Sequence, residues 1–230
     1  MQYYDVVLEE SREAAWDMIS IAGVPKTLFK WLVDLVQFAE EKQRTMSMKW
    51  TTFNMQPVLE LEQQISNWFY LEASDYEDDD ESFEHQQDCA NAALAWKYAL
   101  LIYIARVFKW DRTSDQRPSG IGPLSRLCLD HVRCCRQSST VQKQVLLPVF
   151  LAGSEATDPY ARKYATDYCA YWYEKCRYRM FHDASCLLEE IWMEQTSPQP
   201  NYNIWWGSVL DSKGGDQSAD QASKPQYLFG

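Results

Sequence analysis

The stretch VLLPVFLAGSEA, residues 145–156, is the apolar spine around which the rest of the chain is arranged. Its apolar run ends at Gly153. The pair Asp158-Pro159 then predicts the start of a new helix, because Asp caps free backbone N–H groups and Pro suits the first helical position. The later stretch LLEEIW, residues 187–192, predicts a third helix. Consecutive helices with apolar stripes must bury them against one another, so the spine predicts a helical scaffold.

Aromatic residues follow the spine at helical spacing. They are Tyr160, Tyr164, Tyr168, Tyr171 and Trp172. Steps of three and four residues place side chains on one face of a helix. This pattern predicts that the second helix of the spine presents an aromatic face to the core.

Apolar residues recur with the same period in five further segments. The predicted helices are Leu8–Ile19, Leu28–Ala39 with Thr27 as its cap, Val58–Phe69 opened by Pro57, His85–Lys109, and Leu124–Cys135. No segment alternates with period two for long enough to predict a strand. The predicted fold class is therefore all-α, a single-domain irregular helical bundle of about seven to nine helices. Residues 1–210 form this domain, and residues 211–230 are predicted to be a flexible C-terminal segment with an apolar end.

The segment His85–Lys109 is predicted to be the longest helix. It is apolar nearly all round between Ala92 and Phe108, which is typical of a central, enclosed helix. Lys97 and Arg106 interrupt this run. A bilayer span needs about 20 apolar residues, so we predict no membrane span.

A strongly acidic run covers residues 75–84, and the whole chain has a formal net charge of −11. Such a run repels itself and stays solvated, which predicts a mobile acidic loop at about residues 74–85. It lacks the alternating ligands and central Gly of a calcium-binding EF-hand loop. Binding to nucleic acid phosphates needs a basic face. We therefore expect that this acidic chain does not contact nucleic acid directly.

Catalytic and metal-binding motifs are missing from the sequence. The seven Cys form no C-x-x-C pair, which favours free thiols that pack as small core residues over a zinc site. None of the three His lies in H-E-x-x-H, and His131 on an apolar stripe is typical of a hydrogen-bonded core or rim residue. Gly153-Ser154 only half resembles the G-x-S-x-G motif of one hydrolase class. We therefore predict a protein that is not an enzyme and has no cofactor.

Residues 146–156 resemble the LL-W-P-L-F-I-A-G-C-E-A segment of the fungal-specific transcription factor domain, the regulatory region that follows a zinc-cluster DNA-binding domain in many fungal regulators. The stretch LLEEIW is similar to that family's LLEEVW, and residues 205–210 resemble its W-R-E-V-L/M segment. The likeness extends over about residues 20–210 and is most specific at 146–195. Ser154 stands where Cys is common, and Leu147 stands where Trp precedes Pro.

The resemblance implies an all-α regulatory domain, control of transcription and a nuclear location, with shuttling to the cytoplasm left open. The zinc cluster of the family is absent from this chain, so zinc is expected only in a DNA-binding domain outside it. Some family members sense sterols through a hydrophobic pocket in this region. For such a pocket we predict six lining residues: Tyr103, Phe150, Tyr168, Trp172, Trp192 and Trp206. The alternative is that these aromatic side chains simply fill the core.

Two hypotheses of function follow. In the first, the chain is the effector domain of a fungal transcription regulator, and it couples a small apolar ligand such as a sterol, or a co-regulator protein, to the missing DNA-binding domain. In the second, it is a ligand-free helical module for protein–protein interaction or homodimerisation, which uses exposed aromatic residues such as Trp205 and Trp206.

Overall fold

Helix α6, Leu146–Ser154, lies at the centre of the structure and corresponds to the predicted apolar spine. The computed structural model describes residues 19, 23–46, 48, 50–70, 80–110, 117–196 and 206–207. Every residue of α6 except Leu147 is buried. Within the described part of the chain, the helix packs mainly against four other helices, two that precede it and two that follow it. The spine therefore forms the centre of the core, as the sequence predicts.

Eight α-helices and one π-helical segment make up the described part of the chain, in which no strand occurs. The α-helices are α1 Lys26–Met46, α2 Gln56–Asn67, α3 Asp80–Ile104, α4 Ile121–Cys134, α5 Thr140–Lys143, α6 Leu146–Ser154, α7 Pro159–Cys176 and α8 Arg179–Gln195. The π segment, Ala105–Lys109, continues α3. The predicted all-α, single-domain class is confirmed.

Helix α3 is the second central element. It packs against α1, α2, α4, α5 and α6, and its residues Ala92, Ala95, Ala99, Leu100 and Ile102 are buried. Small alanine side chains let neighbouring helices approach closely on several sides, which explains a helix that is apolar nearly all round. Among the described residues, no helix is both long and apolar enough to span a membrane.

Gly153 sets the distance between α6 and the two helices that follow it. A Cβ atom at this position would lie 3.1 Å from the Cβ of Ala165 in α7 and 3.2 Å from the Cδ2 of Leu188 in α8. These separations are shorter than ordinary van der Waals contact between carbon atoms. The glycine therefore allows α7 and α8 to pack directly on the end of α6.

Helix α7 begins where the sequence predicts. Asp158 is its N-cap and accepts a hydrogen bond from the backbone N–H of Ala161 at 3.1 Å, with Pro159 as the first helical residue. The aromatic face is shorter than predicted, because Tyr160 in the first turn is 79% exposed. The inward face begins one turn later, at Tyr164.

Helix α3 begins at Asp80, five residues before the predicted start at His85. The prediction of a loop is therefore wrong for Asp80–Glu84. Carboxylates are favoured near a helix N-terminus, where the backbone dipole is positive. Farther along the helix, Glu84 and the buried Asp88 both form ion pairs with Arg136, and the Nε of Arg136 lies 2.8 Å from the Oδ2 of Asp88.

Two other predicted helix starts lie too late in the chain. Helix α1 begins at Lys26, so Thr27 belongs to its first turn and is not its cap. Helix α4 begins at Ile121 after Gly120, whose φ of 81° is a left-handed conformation that glycine adopts without strain. Pro123 fits the first turn of α4, since the N–H groups there have no helical partner.

The π segment is a feature that the sequence does not predict. Lys42 of α1 donates from its Nζ to the carbonyl oxygens of Val107 at 2.7 Å and Phe108 at 3.1 Å. Lys109 forms an ion pair with Glu62 of α2 at 2.6 Å. Side chains from α1 and α2 therefore fix the position of the π segment at the end of α3.

Several predictions concern residues that the structure does not describe. The predicted first helix lies outside the described residues except for Ile19, which is helical and buried. Residues 75–79 of the acidic run, Trp205 and the predicted flexible segment 211–230 also lie outside them.

Candidate functional site at the end of helix α6

The six predicted pocket residues comprise two pairs, Tyr103 with Trp206 and Tyr168 with Trp172, and two residues with other contacts, Phe150 and Trp192. Tyr103 of α3 and Trp206 stack on each other with ring centroids 6.0 Å apart, and both are half-buried. Phe150 of α6 is buried in the core with 1% exposure. Trp206 is thus packed against the body of the domain and is not the exposed aromatic residue that the interaction hypothesis assumed.

Tyr168 and Trp172 of α7 are buried and bind the same short helix. The hydroxyl of Tyr168 donates to the carbonyl oxygens of Gln142 at 2.8 Å and Lys143 at 3.1 Å. The indole Nε1 of Trp172 donates to the Oε1 of Gln142 at 3.1 Å. Burial raises the pKa of Tyr168 well above its usual value. The hydroxyl of Tyr168 and the indole N–H of Trp172 thus bind α7 to α5.

Trp192 of α8 lies at the end of α6. Its indole Nε1 donates to the carbonyl oxygen of Gly153 at 3.1 Å, and the guanidinium of Arg162 lies 5.3 Å from its ring centroid. Among the six predicted residues, the structure therefore brings together Tyr103 with Trp206, and Tyr168 with Trp172.

A buried ion pair lies beside the end of α6. Arg106 of the π segment donates from Nε to the Oε1 of Glu155 at 2.5 Å and from Nη2 to the Oε2 of Glu155 at 2.8 Å. The two side chains are 0% and 1% exposed. A two-pronged pair satisfies both carboxylate oxygens and fixes the relative orientation of the two groups. Sequence reasoning missed this pair.

Carbonyl groups in the last turn of α6 and in the two residues after it are bound by side chains from four other parts of the chain, and we call residues 152–156 the α6 hub. Ser125 donates to the oxygen of Ala152 at 2.6 Å, and Trp192 binds that of Gly153. Arg117 donates to the oxygen of Glu155 at 3.3 Å, and Arg162 donates from Nε to that of Ala156 at 2.8 Å. The carbonyl groups of Ala152 and Gly153 also accept backbone N–H bonds from Glu155 and Ala156, so the side chains of Ser125 and Trp192 add a second donor to each.

Three arginine side chains bind the hub. Arg106 binds the carboxylate of Glu155, while Arg117 and Arg162 bind the backbone oxygens of Glu155 and Ala156. Desolvation lowers the pKa of Arg117, with an opposing effect of Glu155, and desolvation together with Arg117 lowers that of Arg162. Cations near a helix C-terminus are favoured by the negative end of the helix dipole. The positive charges therefore stabilise the end of α6.

A small polar cleft lies next to the hub, between α4 and the turn that joins α6 to α7. Its volume is about 120 Å³. Its lining residues include Ser125, Arg126, Asp130, Arg133 and Glu155. None of the six predicted aromatic residues lines this cleft. A cleft of this size and polarity suits a small hydrophilic molecule better than a sterol.

Four of the seven thiols are core residues, as predicted: Cys89, Cys128, Cys135 and Cys169. Burial raises the pKa of Cys89 to about 11 and that of Cys169 to about 12, so both remain protonated at neutral pH. Within the described ranges, no group of three His, Cys, Asp or Glu side chains is arranged to hold a metal ion.

His131 is a hydrogen-bonded rim residue, as the sequence indicates. Its Nδ1 lies 3.0 Å from the Oδ1 of Asn91, and its ring stacks on Tyr98 with centroids 5.6 Å apart. Burial lowers the pKa of His131, and Asp130 opposes this effect. The interactions favour a neutral ring that holds α4 against α3.

We expect the stability of the domain to fall as the pH drops below about 6.5, the usual pKa of His. Because the pKa of His131 is lowered in the folded state, the unfolded chain takes up the proton first, and protonation then favours unfolding. Urea unfolding at about pH 7.5 and about pH 5.5 measures the effect. The variant His131→Gln should lose less stability between the two pH values than the wild type. An equal loss in both proteins would contradict the assignment.

The comparison with known families identifies the family of this chain. Residues 1–218 match the family described as the fungal specific transcription factor domain. This chain belongs to that family. The match covers all eight helices, the α6 hub and the polar cleft. The search of curated proteins and the search of solved structures gave no match.

Membership in the fungal specific transcription factor domain family supports a role in the regulation of transcription. The family is generally not enzymatic, and membership in it indicates a nuclear role. The resemblance noted at residues 146–156 thus identified the correct family. In this chain, that resemblance coincides with the α6 hub, where the Glu of the motif is the buried partner of Arg106.

Proposed function

We propose that this chain is the regulatory domain of a fungal transcription regulator, and that it couples a partner protein to a DNA-binding domain outside the chain. The family match over residues 1–218 carries the proposal. The formal net charge of −11 supports it, since a strongly acidic body needs another module to hold a DNA duplex. Action in the nucleus follows from the same proposal.

A partner protein is favoured over a large apolar ligand by the way in which the described core is filled. Phe150, Tyr168 and Trp172 are buried among core side chains or hydrogen-bonded to α5. The polar cleft of about 120 Å³ is smaller than the roughly 300–1,000 Å³ of typical pockets for drug-sized ligands. The described core around these three side chains is therefore filled, which supports a partner protein as the signal.

Tethering to DNA tests the proposal. The chain is fused to an unrelated DNA-binding domain in a fungal cell that carries a reporter gene with the matching sites. We expect reporter transcription to change at least severalfold relative to the DNA-binding domain alone, because the regulatory domain is then held at the promoter. A mobility-shift experiment with the isolated chain should show no duplex binding at physiological salt.

Two outcomes would contradict the proposal. In one, the fusion and the DNA-binding domain alone give the same reporter level although both are present in equal amounts. In the other, the isolated chain binds duplex DNA at physiological salt, which would place DNA contact within this domain.

A small apolar ligand is the second candidate for the signal. An aromatic cluster supports it: Phe53, Tyr103, Phe108 and Trp206 form a chain of ring contacts with centroids 5.9–6.3 Å apart. Three of these four side chains are only half-buried. Flat apolar molecules stack well on exposed aromatic faces, so this cluster is the part of the described surface that best suits such a ligand.

A further inference from the structure

The connection between α7 and α8 forms a basic and aromatic corner on an otherwise acidic protein. We call it the α7–α8 corner and define it by Lys143, Tyr173, Lys175, Arg177, Tyr178 and Arg179. The Nζ of Lys143 lies 5.7 Å from the ring centroid of Tyr178, and the guanidinium of Arg177 lies 5.9 Å from that of Tyr173. Each cation is close enough to an aromatic face for a cation–π interaction.

The charged groups of the corner are open to solvent. The side chains of Arg177 and Arg179 are 66% and 89% exposed. Two carboxylates lie beside these cations: Glu174 pairs with Arg177 at 2.7 Å, and Asp183 lies 3.6 Å from Arg179. Exposed pairs of this kind contribute little to stability. Four cations against two carboxylates leave a local positive excess.

Apolar surface accompanies the charges. Tyr178 is 54% exposed and Met180 is 42% exposed. Basic side chains and aromatic rings that alternate over one surface can bind a carboxylate and an apolar side chain at the same time. The surface therefore offers two kinds of contact within a few residues.

The backbone of Arg177 adds an independent observation. Arg177 ends α7 in the left-handed conformation, with φ 58° and ψ 22°. It is the only non-glycine residue of the described part with a positive φ. Glycine is the usual residue at such a helix end, and other residues are strained there. An arginine at this position costs stability that a glycine would not, and residues held in such strained conformations cluster at functional sites.

We propose that the α7–α8 corner is a docking surface for a short acidic segment of a partner protein that also carries aromatic or apolar side chains. The inference rests on the proposed function, and it names the chemistry of the partner. Charge complementarity selects this occupant, because the positive excess is small and local while the whole chain carries −11. A long polyanion such as a nucleic acid would meet repulsion beyond the corner. A short acidic peptide fits within it.

Fluorescence anisotropy with a labelled peptide tests the proposal directly. The probe is the acidic aromatic peptide EDFEDWDEFE, and its uncharged counterpart QNFQNWNQFQ is the control. We expect the acidic peptide to bind the full chain and the uncharged one to bind at least about tenfold more weakly, with affinity that falls as salt increases. A single-stranded DNA oligonucleotide of equal length serves as the competing class of ligand.

Variants of Arg177 separate a binding role from a structural one. Arg177→Gly should weaken peptide binding about threefold, and adding Arg179→Ser should bring the loss to about tenfold. The thermal unfolding midpoint of Arg177→Gly should stay equal to that of the wild type or rise, since glycine relieves the strained backbone. Arg44→Ser is the matched control, because Arg44 is also exposed and paired along its helix but lies on α1. It should leave peptide binding unchanged.

Three results would overturn the docking surface. They are equal binding of the charged and uncharged peptides, tighter binding of the oligonucleotide than of the acidic peptide, and equal losses of affinity in Arg44→Ser and Arg177→Gly. These outcomes concern the corner alone. The proposed function is tested separately, by the reporter experiment in which the chain itself is tethered to DNA.

Discussion

Replacing Glu155 with Gln is expected to lower the free energy of unfolding by about 3–5 kcal/mol. The substitution keeps the shape of the side chain but removes the negative charge that faces Arg106. Both side chains are fully buried, and Arg106 binds both carboxylate oxygens. The variant would leave the charge of Arg106 inside the protein without this carboxylate, which is costlier than losing the pair altogether.

Urea denaturation followed by circular dichroism measures this loss. The double variant Arg106→Met with Glu155→Leu should lose less than either single variant, because no lone charge is left in the interior. Glu189→Gln is the matched control, since Glu189 is an exposed residue of α8, and it should change stability by less than about 0.5 kcal/mol. A loss below about 1 kcal/mol for Glu155→Gln would show that the end of α6 does not depend on the pair.

Truncation of Phe150 to Ala should cost about 3–5 kcal/mol if the aromatic residue fills the core. Phe150 is 1% exposed and lies in the most enclosed helix, so its removal leaves a cavity that the neighbouring helices cannot close fully. A residue that lines an open pocket would leave no new cavity, and its truncation would cost much less. The same urea experiment distinguishes the two cases.

The control for this truncation is Phe83→Ala. Phe83 lies on α3 with 64% of its surface exposed, and its loss should change stability by less than about 0.5 kcal/mol. A thermal-shift series with sterols and fatty acids completes the experiment. A stabilisation that rises with ligand concentration and disappears in Tyr103→Ala would favour the apolar ligand as the signal, because only a ligand that binds the folded state raises its stability.

Local patterns predict most of the helices, because each depends on residues close in sequence. The cap at Asp158 and the apolar run of residues 145–153 are examples, since N-capping and helical periodicity act over a few residues. Boundaries were harder to predict. Helix α3 begins at Asp80, five residues before the predicted start. Near this end, Glu84 and Asp88 form ion pairs with Arg136, which lies about 50 residues farther along the chain and so leaves no local signal.

The pair of Arg106 and Glu155 could not be predicted from local patterns, since it joins the π segment to the end of α6. A signal for it does exist in the sequence. Arg106 is a charged residue near the end of the apolar run Ala92–Phe108, and Glu155 directly follows the apolar spine. Two opposite charges that both lie in or beside buried segments are expected to form an ion pair, because an unpaired buried charge is costly. The π segment has no comparable signal in the local sequence. Its last carbonyl groups accept hydrogen bonds from Lys42 of α1, which is about 65 residues away in the chain.

Aromatic composition did not separate a filled core from a lined pocket. Tyr168 and Trp172 have the spacing of an inward face, which either arrangement requires. The two arrangements differ in hydrogen-bond partners that are distant in sequence. Gln142 is such a partner, because it accepts hydrogen bonds from the hydroxyl of Tyr168 and the indole N–H of Trp172. Sequence spacing contains no information on such partners.

The bonding of the α6 hub has a consequence for how the domain opens. Ser125, Arg162 and Trp192 come from three different helices, and each binds a backbone carbonyl group of the hub. The last turn of α6 therefore cannot loosen without breaking contacts to the rest of the fold, so opening of this turn becomes a cooperative event shared by several helices. A change in the packing of any one of these helices therefore changes the free energy of that shared event.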